Sequence, residues 1–201
     1  MAKRLVFSCV SVLAGLALAS CQSAAPTLRT VRYAGPDRPI LIATRGRAQV
    51  PQLIAFFTET NSRADLERLN EIARAYLDEA AAEGINSDVA FCQMAHETDY
   101  LRFGGDARAW QNNFCGLGVT GGGRSGLSFP SVRIGVRVHI QHLKAYANAE
   151  PLYKRCVDPR FALVRRGRAP FVEDLAGTWA TDPQYGVKLK RMLAALEKHL
   201  D

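Results

Sequence analysis

The sequence has 201 residues, of which 48% are hydrophobic, and this composition excludes a disordered or fibrous chain and suits one globular domain with a sizeable core. The formal net charge of +7 favours an anionic partner such as an acidic polymer or a phospholipid surface. Nucleic acid is the competing partner for a basic chain, but the sequence carries no nucleic-acid-binding motif, so we expect none.

The first 21 residues have the layout of an export signal. Lys3 and Arg4 give a positive start, and residues 5–18 form an uncharged apolar run that is shorter than a membrane span of about 20 residues. The segment L-A-S-C then ends at Cys21 and resembles the lipobox of bacterial lipoproteins. The resemblance implies cleavage before Cys21 and a lipid anchor on this residue. The alternative is an ordinary secretory signal in which Cys21 is incidental.

Residues 22–50 are predicted to link the anchor to the folded domain. Residues 22–40 are rich in Ser, Ala, Pro, Gly and Arg and show no sustained period, which is typical of a linker. The domain is predicted over residues 51–201, with a short leading helix near its start.

Helical periodicity marks most of this domain. The helical segments are predicted at residues 65–84, 88–99, 136–147 and 187–200. Residues 88–99 are apolar nearly all round, so this helix belongs in the core. Residues 104–130 contain eight glycines and predict loops with a short hairpin. We therefore expect an α+β fold that is mainly α-helical, with a small Gly-rich β element after the core helix.

Three cysteines remain beyond the signal, namely Cys92, Cys115 and Cys156. An odd number permits at most one disulfide, and the sequence leaves the pairing open. Their spacing is not that of a zinc site. His139 and His142 lie three residues apart on a predicted helix but have no obvious partner ligand, so we interpret them as surface or packing residues. We predict no metal and no cofactor.

Glu97 is the unusual residue of the core helix. A carboxylate in such an apolar segment must be hydrogen-bonded, paired or functional. Desolvation favours the protonated form of a carboxyl group, which is the form that a general acid needs. The alternative is a Glu at a helix end that faces solvent or pairs with Arg102 or Arg108.

Three sequence blocks decide between these alternatives. Residues 92–98 read C-Q-M-A-H-E-T, residues 112–118 read N-N-F-C-G-L-G, and residues 179–189 read W-A-T-D-P-Q-Y-G-V-K-L. In this order they resemble the "A-Q-x-x-x-E-[ST]", "N-N-L-F-G-I-K" and "Y-A-T-D-P-x-Y-x-x-K-L" segments of the bacterial glucosaminidase autolysins, glycoside hydrolase family 73. The resemblance covers roughly residues 65–200.

The resemblance implies a lysozyme-like fold and a peptidoglycan hydrolase with Glu97 as the catalytic acid. The core helix and the Gly-rich segment would wall a cleft that binds the glycan strand. The substrate-binding candidates are Asn113, Gly116, Trp179, Asp182 and Tyr185. Trp179 and Tyr185 would offer flat faces to a sugar ring, although core packing is the alternative for Trp179. Asn113 would either bind substrate or stabilise a turn.

A second catalytic carboxylate is not evident in the sequence. No Asp or Glu lies between Asp106 and Glu150, where some family members carry one. Asp99 would point away from Glu97 if the helix continued, and Asp182 lies in a turn where capping is the ordinary role. We therefore expect the 2-acetamido group of the substrate to assist, a recognised exception to the two-carboxylate rule.

The sequence thus predicts an endo-β-N-acetylglucosaminidase that is lipid-anchored outside the cytoplasm. In a cell with an outer membrane, Gln22 after the lipidated cysteine favours that membrane, facing the periplasm. One alternative is a muramidase or lytic transglycosylase, and the absence of a G-L-M-Q segment after Glu97 weakens the latter. Another is a catalytically silent lipoprotein that binds peptidoglycan.

Overall fold

Five α-helices form the described part of the domain in the computed structural model. They are α1 (Val50–Thr60), α2 (Leu66–Glu83), α3 (Ser87–Glu97), α4 (Val132–Ala147) and α5 (Tyr185–Glu197). The structure describes Tyr33 and residues 38–119, 121–123 and 125–200. All of these belong to one compact unit, Val31–Asp201, whereas the unit Met1–Thr30 lies outside the described residues. The mainly helical prediction is confirmed.

The bounds of α2 follow from its terminal residues. The Asp65 side chain accepts hydrogen bonds from the backbone N–H groups of Glu67 and Arg68, which satisfies two free donors of the first turn. Gly84 ends the helix in the left-handed conformation, with φ 69°, which glycine adopts without steric cost. Three residues later α3 begins, capped by the Asn86 side chain.

Helix α3 is the centre of the core. Its fully buried apolar residues are Val89, Ala90, Phe91, Cys92, Met94 and Ala95. Helices α2 and α5 pack against it most extensively, and α1 and α4 complete its surroundings. The apolar pattern of residues 88–99 therefore correctly predicted a core helix, and Glu97 is its last residue.

Two buried glutamates join α2 to α4. The carboxylate of Glu79 contacts Arg133, Arg137 and Lys154 at 2.8 to 3.0 Å. Burial opposes its ionisation, but these hydrogen bonds outweigh it and lower the pKa of Glu79 to about 2. One turn later, Glu83 accepts a hydrogen bond from Lys144 Nζ at 3.0 Å. These contacts fix α4 across the domain.

The Gly-rich segment contains no extended strand in its described part. It forms turns and a short 3-10 helix, Ala109–Gln111, so the predicted β element is not formed among these residues. Backbone and side chains both hold the segment, because the Leu127 N–H donates to the Leu117 carbonyl at 2.9 Å and the Gln111 amide donates to the carbonyl of Ser125 at 2.8 Å. Gly121 is a single bridge residue within it, and other isolated bridges join Leu41 to Phe171 and Ala176 to Ala180.

The last part of the predicted linker is packed onto the domain. Ile40, Ile42 and Ala48 are buried in the core. Asp88 fixes this segment, because its carboxylate accepts hydrogen bonds from the backbone N–H groups of Arg47 and Ala48. Residues 38–49 therefore pack with the domain instead of forming part of the linker. The alternation of Ile40 and Ile42 is the sequence signal for this burial.

The predicted signal and lipidation site, residues 1–21 with Cys21, lie outside the described residues. Within the described part of the chain, no helix is both long and apolar enough to cross a bilayer. Cys92, Cys115 and Cys156 are all free thiols, so the single disulfide that the count permits is not formed.

Candidate active site

A cleft of about 740 Å³ opens at the C-terminal end of α3. The turn that follows α3 lines one side, and the glycine-rich segment and the approach to α5 line the rest. Its lining includes Glu97, Asp99, Asp106, Gly116, Trp179, Asp182 and Tyr185. The structure thus brings together five of the six site residues that the sequence predicted.

Two donors converge on one oxygen of the Glu97 carboxyl group. The indole N–H of Trp179 donates to Oε1 at 2.9 Å, and the hydroxyl of Tyr185 donates to the same atom. The other oxygen, Oε2, faces Gly116, where a Cβ on the glycine would lie 3.9 Å from it. No donor contacts Oε2 among the described residues, so this oxygen is the one available to a ligand in the cleft.

Tyr185 is itself held from within the core. Its hydroxyl accepts a hydrogen bond from the Gln93 amide at 3.0 Å, one turn before Glu97 on α3. Gln93 Oε1 contacts His139 Nε2 at 3.0 Å, and His139 Nδ1 contacts the Tyr76 hydroxyl at 2.7 Å. We call this series, from Tyr76 through His139, Gln93 and Tyr185 to Glu97, the buried relay.

The protonation state of His139 gives all hydrogen bonds of the buried relay the same direction. Burial lowers the pKa of His139 to about 3, so its ring is neutral and has one donor and one acceptor nitrogen. With the Gln93 amide nitrogen directed at Tyr185, Gln93 Oε1 must accept from His139 Nε2–H. His139 Nδ1 then accepts from Tyr76. Every donor in the relay therefore points toward Glu97.

The phenol of Tyr185 remains protonated in this environment. Burial, and then the neighbouring Glu97 carboxylate, raise the pKa of Tyr185 well above its usual value of 10.0. The side chain is only 3% exposed, which is little surface for a sugar ring. The contact observed for Tyr185 is the hydrogen bond that its hydroxyl donates to Glu97, and its stacking role stays a prediction.

Trp179 combines packing with positioning. Its ring contacts those of His139, His142 and Tyr146 at centroid distances of 5.7, 5.2 and 5.3 Å. Half-buried at the cleft, it fixes the carboxyl group of Glu97 through its single N–H donor. The core-packing alternative and a site role therefore both hold for this residue.

A left-handed turn follows α3 and changes the position expected for Asp99. Asp99, Tyr100 and Leu101 have φ of 46°, 51° and 60°, a rare run for residues with a Cβ. Hydrogen bonds from Tyr100 N–H to the Ala95 carbonyl and from Phe103 N–H to the Thr98 carbonyl hold the turn. Because the helix has ended, Asp99 lines the cleft, and the helical geometry on which its expected orientation depended does not apply.

Asp182 has the ordinary role that its turn suggested. Its carboxylate accepts from the Gln184 N–H at 2.8 Å and pairs with Lys188 Nζ at 2.6 Å. The pKa of Asp182 is lowered mainly by Lys188 and to a smaller extent by this N–H group, so the residue remains ionised. Sequence reasoning did not consider Asp106, which also lines the cleft and is half-buried.

Asn113 is fully buried and does not line the cleft. Its amide group donates to the carbonyls of Leu117 and Leu127, and its oxygen accepts from Leu117 N–H at 2.9 Å. These bonds use its polar atoms, so it stabilises the turn that presents Gly116. Of the two roles that the sequence left open for Asn113, its contacts are those of the turn role, and substrate binding stays a prediction.

The two histidines of α4 are also placed more specifically than predicted. His139 is a buried member of the relay, and His142 Nδ1 contacts Asp158 at 2.8 Å. No group of three or more ligating side chains that could hold a metal ion occurs among the described residues.

Gln93, His139 and Tyr76 are the site residues that sequence reasoning missed. Only Gln93 carried a signal, because it precedes Glu97 by four residues and so lies on the same face of α3. His139 and Tyr76 come from other helices, and their contact with α3 depends on packing.

The comparisons with known proteins give a consistent result. The model of the glucosaminidase family, described as mannosyl-glycoprotein endo-beta-N-acetylglucosaminidase, matches residues 73–198. An uncharacterized protein of Borreliella burgdorferi is 43% identical over 158 residues, which cover 79% of this chain and 77% of that protein. No solved structure matches the chain significantly.

Proposed function

The chain belongs to the glucosaminidase family of glycoside hydrolases, and we propose that it cleaves the glycan strand of peptidoglycan as an endo-β-N-acetylglucosaminidase with Glu97 as general acid. The observation that carries this proposal is the pair of hydrogen bonds from Trp179 and Tyr185 to one carboxyl oxygen of Glu97. A surface glutamate with only a structural role would not be oriented in this way at the base of a cleft.

The pattern of donors supports the second oxygen as the one that gives the proton in this proposal. Oε1 already accepts two hydrogen bonds, so Glu97 would donate its proton from Oε2, which faces the cleft beside Gly116. A glycosidic oxygen bound there would receive this proton as its bond to the anomeric carbon breaks. The backbone at Gly116 leaves room for the sugar because no side chain intervenes.

The substrate supplies the nucleophile in this proposal. The carbonyl oxygen of its 2-acetamido group attacks the anomeric carbon as the leaving oxygen takes the proton from Glu97, which gives a cyclic oxazolinium ion. Water then opens this ion, and the Glu97 carboxylate takes up the proton that the water releases. The support for this step comes from the sequence, which has no Asp or Glu between Asp106 and Glu150, where some family members carry a second acid.

The test is digestion of purified peptidoglycan by the full-length protein and by its Glu97→Gln variant, followed by mass spectrometry. Glutamine preserves the shape of the side chain but cannot donate a carboxyl proton. We expect fragments that end in reducing N-acetylglucosamine from the wild type and none from the variant. Fragments with reducing muramic acid or an anhydro end would instead indicate a muramidase or a transglycosylase. Binding without cleavage would indicate a silent binding protein.

Asp106→Asn and Asp99→Asn test the substrate-assisted mechanism, because both carboxylates line the cleft. We expect both variants to retain most of the wild-type rate. A loss of activity from either variant, comparable with that of Glu97→Gln, would overturn substrate assistance and assign that residue as the second carboxylate.

We also propose that the protein is anchored through a lipid on Cys21, in the outer membrane where the cell has one. The support is the order of positive start, apolar run and small residues before Cys21 in the sequence. Metabolic labelling with a fatty acid, compared between wild type and Cys21→Ser, tests it. Equal labelling would overturn the proposal.

A further inference from the structure

Most of the net charge of the protein lies in one short segment. Residues 151–170 contain six basic side chains and one acidic side chain, a formal charge of +5 within a chain of +7. The acidic residue, Asp158, is buried and bound by His142 Nδ1 and by the Arg160 N–H. It therefore does not neutralise the arginine side chains at the surface.

Three of these arginines surround a pocket of about 220 Å³. The guanidinium-bearing residues are Arg160, Arg165 and Arg168, and the remaining lining includes His142 and Tyr146 of α4. None of the three arginines forms a salt bridge with an acidic side chain in the described part of the chain. With three exposed guanidinium groups and no acidic side chain in its lining, the pocket has a positive potential and attracts an anion.

The backbone that carries the arginines is fixed to α4. The Gly167 N–H donates to the carbonyl of Ala145 at 3.0 Å, and the Ala169 N–H donates to that of Tyr146 at 2.9 Å. Arg166, which precedes Gly167, hydrogen-bonds to the Asn148 carbonyl and lies 4.6 Å above the centre of the Phe161 ring. The backbone on both sides of Arg168 is therefore preorganised, which reduces the entropy lost when a ligand binds.

A single side chain connects this pocket to the catalytic cleft. Trp179 hydrogen-bonds to Glu97 through its indole nitrogen, and its ring packs against His142 and Tyr146, which line the basic pocket. An anionic group bound by the arginines would therefore be separated from Glu97 by the ring of Trp179 and by the ring of His142 or Tyr146 that packs against it.

We infer that this pocket binds a carboxylate of the peptide stem that the glycan strand carries next to the bond to be cleaved. This inference rests on the proposed peptidoglycan substrate. Stem peptides bear free carboxylates, and guanidinium groups bind carboxylates through paired N–H donors. The pocket would thus make the enzyme prefer strands whose stem peptides are present and ionised.

The test compares two probes that differ in carboxylate content. One is purified sacculi freed of phosphate-containing polymers, and the other is the same sacculi after carbodiimide coupling to ammonia, which converts carboxylates to neutral amides. Binding of the full-length Glu97→Gln protein is measured by co-sedimentation, which does not require cleavage. The variant R165Q/R168Q is added to this background, with R63Q/R74Q as its control, since both pairs remove two exposed positive charges.

We expect R165Q/R168Q to weaken binding to native sacculi about tenfold, and R63Q/R74Q to change it by less than about twofold. On amidated sacculi the three proteins should bind alike. Equal losses from both pairs, or the same loss on amidated sacculi, would overturn the inference. So would a loss seen on phosphatidylglycerol vesicles but not on sacculi, which would assign the pocket to lipid phosphate.

This result is separable from that of the proposed function. Specific binding through the arginines with no fragment release by the wild type would contradict the glucosaminidase and leave the anion pocket intact. Fragment release by the wild type with no effect of the arginine substitutions on binding would support the glucosaminidase and contradict the anion pocket.

Discussion

The hydroxyl of Tyr185 donates a hydrogen bond to Oε1 of Glu97 and so joins the first residue of α5 to the last residue of α3. The two residues are 88 positions apart, and their contact forms only when the helices pack. The orientation of the proposed acid is therefore a property of the folded core, because Gln93 holds Tyr185 from the buried side.

Removal of this hydroxyl should affect turnover more than binding. We expect Tyr185→Phe to lower kcat by about tenfold or more, because Glu97 loses one of the two donors that fix its carboxyl group. KM should change little, since the ring is buried and has little surface for substrate. The measurement is steady-state kinetics on soluble glycan fragments.

Tyr153→Phe is the matched control for this substitution. Its side chain is 81% exposed, and the same loss of a hydroxyl group should leave both constants unchanged. A rise in KM with unchanged kcat for Tyr185→Phe would contradict the positioning role and restore a direct role in sugar binding.

The burial of neutral His139 should make stability depend on pH in weak acid. The pKa of His139 is about 3 in the folded protein and 6.5 ordinarily, so between these values the unfolded chain binds the additional proton. The contribution of neutral His139 to the free energy of unfolding is therefore complete above pH 6.5. It decreases as the pH falls below this value, with a slope that approaches about 1.4 kcal/mol per pH unit. Glu79, with a pKa of about 2 against 4.5 ordinarily, contributes only at lower pH.

Urea unfolding between about pH 5 and 6.5 measures this slope. His139→Gln has no titratable group at this position, so its unfolding free energy should vary less steeply with pH than that of the wild type. Parallel pH dependence of the unfolding free energy in the two proteins would contradict the assignment to His139.

The helices were predictable because their signals are local. Asp65 and Gly84 are a side-chain cap and a left-handed stop, and both act on their immediate neighbours. The apolar run of residues 88–99 likewise has to be enclosed on all sides wherever it lies in the fold. Local chemistry therefore predicted α2 and α3 without knowledge of the tertiary structure.

The details of the site depend on where α3 ends and on what packs against it. The orientation of Asp99 was not predictable because periodicity cannot show that the chain enters a left-handed turn after Glu97. Tyr185 and Asn113 were identified as site residues by resemblance, but only the packed structure shows that one orients Glu97 and the other holds a turn. The relay was not predictable because its members lie on four helices.

The ion cluster around Glu79 should stabilise the packing of α2 against α4. Glu79→Gln leaves Arg133, Arg137 and Lys154 without their shared carboxylate, and we expect a loss of about 2 kcal/mol in the free energy of unfolding. The loss should be smaller than for a fully buried pair, because Arg133 is 49% exposed.

Asp78→Asn provides the control, since Asp78 directly precedes Glu79 and also pairs with Arg133 at 3.0 Å. Its side chain is 57% exposed, so its removal should cost less than about 1 kcal/mol. Denaturant unfolding of both variants measures the difference, and equal losses would show that burial of Glu79 does not strengthen the cluster.

The close approach of α4 to the segment that presents Gly116 should tolerate no side chain at Gly135. A Cβ at this position would lie 1.9 Å from the carbonyl oxygen of Asn112, which is backbone and cannot rotate away. We expect Gly135→Ala to destabilise the protein by about 1 to 3 kcal/mol as α4 and this segment separate. The same segment places Gly116 beside Glu97, so the rate of glycan cleavage should fall as well.

Gly104→Ala is the control that tests whether any glycine-to-alanine substitution destabilises the protein. A Cβ at Gly104 would meet no atom within 4 Å, and its backbone is not left-handed, so stability should change by less than about 0.5 kcal/mol. Thermal and urea unfolding of both variants, with the cleavage rate measured below the midpoint, complete the comparison. Unchanged stability of Gly135→Ala would contradict the close contact, whereas lost stability with full activity would show that Gly116 is held at Glu97 by the Asn113 turn alone.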